Sequence, residues 1–142
     1  MKKMVNIALV YFIFAMVGGV FYREFTKFHS YTGTTALSVL HTHLLVLGTF
    51  LFLFLTLACK VMDIQVTRQF KRFLVLHNIA LPLMVIMLLV RGIVQVLDVR
   101  GIGSWDAAIS GIAGISHILL FVSFILLFIS LKKAVQADEA GK

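Results

Sequence analysis

The sequence predicts an all-α integral membrane protein, one domain of four transmembrane helices with both ends in the cytoplasm. Three observations carry that expectation. Of the 142 residues, 61% are hydrophobic and 13% charged, whereas a soluble domain is near half apolar and about a quarter charged. The mean hydropathy is +1.03. The apolar residues also gather into four runs, each close to the roughly 20 residues that a spanning helix needs. The runs are continuous instead of alternating, and a few strands could not close a barrel in lipid, so helices are the available spanning element.

The expected helices cover approximately residues 4–22, 36–61, 73–96 and 107–131, and residues 134–142 read as a short cytoplasmic tail. Met1-Lys2-Lys3 followed by an apolar run also has the form of a signal peptide. That run is long for such a segment, and Ala15-Met16-Val17-Gly18-Gly19 makes a poor cleavage site, so the first helix is expected to stay. Length and the lack of linkers or repeats give a single domain, 1–142.

Orientation follows from Lys and Arg in the short loops. Nine of them lie before the first helix, between the second and third, or after the fourth. The two remaining loops hold four: Arg23, Lys27, Arg91 and Arg100. The N-terminus, middle loop and C-terminus are therefore expected inside a bacterial cytoplasmic membrane. Tyr22, Tyr31 and Trp105 then form an aromatic belt at the outer interface. The formal charge of +7 is spread over helix-flanking gaps, so it reads as membrane-flanking charge and excludes a nucleic-acid patch. Cys59 stands alone and cannot form an intrachain disulfide; it reads as a small buried or lipid-facing residue.

Four histidines fall inside the predicted helices: His41, His43, His77 and His117. Ionisable residues at membrane depth are costly and mark function by default. The alternative for each is a neutral imidazole bonded to a Ser, a Thr or a carbonyl of a neighbouring helix. By rise per residue, His41 and His43 lie roughly 10 and 7 Å to the outer side of their helix midpoint. His117 lies within about 3–4 Å of its own, and His77 is at least about 10 Å deeper. His41 and His43 point about 200° apart, so one cofactor takes only one of them. His41 shares its stripe with Ser38 and Gly48, and His117 shares one with Ser110, Gly111 and Gly114. Such small residues leave room for a flat, bulky group, and they equally suit close helix packing. His29, in the outer loop, reads as interfacial.

Zinc favours four ligands with Cys or carboxylate among them, and none lies near these histidines. Copper would recruit Met or a third His. Haem iron needs two axial ligands and has a mostly apolar macrocycle. Haem b, ligated by His41 and His117, is the best chemical match. Gly48 and Gly114 would give it space, and outer cations such as Arg91 and Arg100 would pair with its propionates. His43 and His77 are secondary candidates, His77 for a second haem.

The stretch Leu40-His41-Thr42-His43-Leu44-Leu45-Val46-Leu47-Gly48 resembles the second helix of the haem-copper oxidase and nitric oxide reductase catalytic subunit. Gly114-Ile115-Ser116-His117-Ile118-Leu119-Leu120 resembles its tenth. The resemblance implies a low-spin haem b held by His41 and His117. The superfamily carries a second histidine two positions before the latter ligand, where this chain has Ile115, and no copper-ligating cluster can be assembled here. A haem site without an oxygen- or NO-reducing centre is implied, and not an independent enzyme. The whole chain also resembles an uncharacterised group of small four-helix bacterial membrane proteins.

The expected function is thus one-electron transfer, or haem- or NO-linked sensing, by a bis-His haem b protein of the membrane. Its expected partners are membrane lipid, a respiratory or redox protein, and further copies of itself. The competing expectation is a non-haem helical subunit docked on a larger membrane complex.

Overall fold

The computed structural model describes residues 1–98 and 103–140. Within them the regular structure is helical throughout, and four helices are long and apolar enough to cross a membrane. We label them α1 (Lys2–Phe28), α2 (Leu37–Val61), α3 (Arg68–Val96) and α4 (Gly103–Ala140). A 3-10 turn, Ile64–Val66, joins α2 to α3.

Three of these helices clearly outrun their expected apolar cores. α1 continues six residues past Tyr22, because Arg23, Glu24 and Lys27 are good helix formers that reach water by their long side chains. α3 starts at Arg68, five residues before the apolar run, where the Thr67 hydroxyl accepts from the Phe70 amide and caps the helix. Beyond Leu131, α4 does not give way to a loose tail. It stays helical to Ala140, and Ala134 is buried.

Successive helices run in opposite directions, so α1 and α3 are parallel. α2 packs on α1 and, less extensively, on α3, and α4 lies along α3 in a long helix–helix contact. That contact has heptad spacing on both sides. Phe70, Phe73, His77, Ala80, Met84 and Met87 are buried on α3, and Ser116, Leu120, Ser123, Leu127, Ser130 and Ala134 on α4. Alternating steps of three and four keep one stripe facing its partner, and the serines let the helices approach closely.

Two irregularities shape α2. Residues Leu44–Phe50 form a π-helical segment between regular turns, a form common at functional positions. Gly48 sits inside it against Tyr11 of α1, and a Cβ there would stand 2.5 Å from Tyr11 Cγ. At the other end Leu37 closes on Gly92 of α3, where a Cβ would be 2.7 Å from the Leu37 amide nitrogen. The Thr35 hydroxyl donates to the Gly92 carbonyl at 3.0 Å, and the Ala36 amide donates to Gln95 Oε1 at 2.8 Å. The loop after α1 is thereby tied to the end of α3. Pro82 does not interrupt α3.

Candidate cofactor site

The histidines divide by what their ring nitrogens do. His77 is wholly buried at the α2–α3–α4 junction, within ring contact of Phe52, Phe73 and Phe124. Its Nε2 donates to the Leu47 carbonyl of the π segment at 2.9 Å, and its Nδ1 lies 3.1 Å from Ser123 Oγ. A carbonyl only accepts, so the proton of a neutral ring sits on Nε2, and Nδ1 receives the serine hydroxyl. That hydroxyl also lies 2.7 Å from the Leu120 carbonyl, and its single hydrogen serves one acceptor at a time. Nε2 of His77 is thus engaged by Leu47, while Nδ1 shares the Ser123 hydroxyl with the Leu120 carbonyl. These contacts are of the kind the packing alternative describes for a histidine at membrane depth.

His41 is half-buried and turned toward α1, where a Cβ on Gly19 would lie 3.7 Å from its Cβ and Cγ. Its Nδ1 is enclosed without a hydrogen-bond partner, as is the hydroxyl of Thr49. His43 is half-buried and donates from Nδ1 to the Val39 carbonyl at 2.7 Å. His117 is exposed on α4 and donates from Nδ1 to the Ala113 carbonyl at 2.8 Å. In His43 and His117 this bond fixes the tautomer and leaves the Nε2 lone pair available, the arrangement common in metal-ligating histidines. His29, at the exposed end of α1, makes the same kind of bond to Phe25.

His41 and His117 stand in different surroundings. His41 packs beside Gly19 of α1, whereas His117 is exposed on α4. The two site glycines differ in the same sense. Gly48 is filled by Tyr11, whereas a Cβ added at Gly114 or its neighbour Gly111 would meet nothing within 4 Å. Near the N-terminal end of α4, Arg91 of α3 donates to Ser110 at 2.8 Å and lies 4.0 Å from an Asp106 carboxylate oxygen. Arg100 falls outside the described residues. Among the described residues no three His, Cys, Asp or Glu side chains gather as a metal-binding group.

Two polar features were not anticipated from the sequence. One is the buried serine stripe Ser116, Ser123 and Ser130, whose seven-residue spacing was a usable signal. The other is the bond from Tyr11 on α1 to Asn78 Oδ1 on α3, 3.0 Å long, with the Asn78 amide donating to Leu74 at 2.7 Å. No pattern in either segment announces that pair.

No curated protein and no solved structure matches the chain, so the likeness to the oxidase helices rests on its two short motifs alone. One family model covers residues 1–134, and its description reads "Protein of unknown function (DUF2871)". A match over nearly the whole chain places this protein in the DUF2871 family.

Proposed function

We propose that this is a haem b-binding membrane protein for one-electron transfer, with His117 as an axial ligand and a histidine of a second copy opposite. One observation carries the reading. His117 is exposed well inside a membrane-spanning helix, about 18 Å along the axis from Trp105, and its Nε2 has no hydrogen-bond partner among the described residues. A polar nitrogen facing hydrocarbon is costly, so the open face calls for a group that covers it. The residues fit haem on that face. The Ala113 carbonyl orients the imidazole, Gly111 and Gly114 leave a flat surface, and Arg91 supplies a cation for a propionate. Bound haem would supply the electron-carrying iron, and filled axial positions suit transfer better than gas activation. A respiratory or redox protein is the partner class this implies.

The open glycine face equally favours a second reading, a helical subunit whose Gly111–Gly114 surface receives a partner helix. An absorption spectrum of detergent-purified protein, oxidised and then dithionite-reduced, separates the two. With haem supplied during expression, the haem reading expects a low-spin b-type spectrum that His117→Ala abolishes and His29→Ala leaves intact. A colourless preparation would end the haem reading and leave the face to a partner helix.

A further inference from the structure

A groove of about 1120 Å³ runs between α1 and α3, with Leu40 and Leu44 of α2 as its floor. It begins at Lys3 and Asn6 and ends near Phe21 and Ile93. From Lys3 to Phe21 the helix rises about 27 Å, close to the roughly 30 Å of a bilayer's hydrocarbon core. Its walls are almost entirely apolar, and Val10, Val17 and Ile86 on them are at least half open to the surroundings. An aqueous solute has nothing to bind along such a slot, whereas a hydrocarbon chain matches it in length, depth and chemistry.

The N-terminal mouth differs from the rest. The Tyr11–Asn78 bond fixes the register of the parallel helices α1 and α3. Counting toward the N-terminus of both helices from that pair puts Lys3 level with the first turns of α3, where Lys71 and Arg72 are exposed. No acidic residue lies in the first turn of α3, and a helix N-terminus carries partial positive charge. Lys3 lines the mouth of the slot, and Lys71, Arg72 and the positive end of α3 lie at about the same level along the helices.

We propose that this groove holds an acyl chain of an anionic phospholipid, with its phosphate at the mouth among Lys3, Lys71 and Arg72. The chain supplies apolar contact along the slot, and the phosphate supplies the charge that selects among lipids. This lipid site is independent of the open face of α4.

Native mass spectrometry of the purified protein, offered equal amounts of phosphatidylglycerol and phosphatidylcholine with identical chains, tests it. The expected result is retained phosphatidylglycerol in preference to phosphatidylcholine, and no retention of glycerol phosphate, which lacks chains. Neutralising Lys3, Lys71 or Arg72 to Gln should weaken retention roughly fivefold per charge. Val10→Trp with Val17→Trp, both at exposed positions that should tolerate the change, should fill the slot and abolish retention. Equal retention of the two lipids by the wild-type protein overturns the proposal without recourse to any variant. So does undiminished phosphatidylglycerol binding by a folded slot-filled variant.

Discussion

His77 of α3 donates from Nε2 to the carbonyl of Leu47 inside the π segment of α2, over 2.9 Å. This bond joins the π-helical stretch of α2 to the most buried imidazole of the chain. Removing the donor leaves a carbonyl without a partner in an apolar interior. His77→Leu should therefore cost about 1–3 kcal/mol, read as a lower midpoint of denaturation in mixed detergent micelles. His77→Gln, which keeps a donor, should lose less. Wild-type stability in His77→Leu would show that the Leu47 carbonyl finds its partner within α2.

The glycines should separate into two classes. Gly48→Val and Gly92→Val push a side chain into Tyr11 and Leu37 respectively, and overpacking of this kind costs about 1–3 kcal/mol. A Cβ at Gly111 or Gly114 meets nothing within 4 Å among the described residues, so Gly111→Val and Gly114→Val should leave folding unchanged. If the open face of α4 carries haem or a partner, the same two variants should lose haem or partner while remaining folded. Thermal unfolding, with haem content measured on the same samples, checks both halves. Equal destabilisation by all four would contradict the open face.

The four spans were legible because continuous apolar runs of that length admit only helices in lipid. Their ends were not, since hydropathy marks the hydrocarbon layer and not the end of a helix. Arg23, Glu24 and Lys27 continue α1 into water, and the Thr67 cap starts α3 before its apolar run. The histidines were legible as unusual, and their depths could be estimated from the rise. Which helix each one faces depends on neighbour order, and depth says nothing of that. His41 thus turned out to face α1, and His117 the outside. The Gly111–Gly114 pair before His117 and the Ser116–Ser123–Ser130 stripe are both rows of small residues on α4. Only the second continues the steps of three and four through Leu120, Leu127 and Ala134, and it is the buried one.

Tyr11 and Asn78 join α1 to α3 through their side chains. Interhelical hydrogen bonds of membrane proteins average about 0.6 kcal/mol and reach about 1.7. A double-mutant cycle with Tyr11→Phe and Asn78→Leu should give a coupling energy in that range. Tyr11→Phe alone should be mild, because the ring against Gly48 and Phe52 is kept. A coupling indistinguishable from zero would mean that the hydroxyl and the carboxamide are solvated separately at the groove.

Orientation can be tested by labelling. The excess of Lys and Arg around the N-terminus, the Asp63–Thr67 turn and the end of α4 should hold those segments in the cytoplasm. In a Cys59→Ala background, Val66→Cys should resist a membrane-impermeant maleimide in intact cells and react once the membrane is opened. Ser30→Cys, at the exposed end of α1, should react in intact cells. Cys59 is buried, so the otherwise unaltered protein should label slowly in either condition. The reverse pattern, with Val66→Cys labelled from outside and Ser30→Cys protected, would invert the topology. It would also move the cationic mouth of the α1–α3 groove to the outer leaflet. Protection of both sites in intact cells would place the Ser30 loop within the membrane interface.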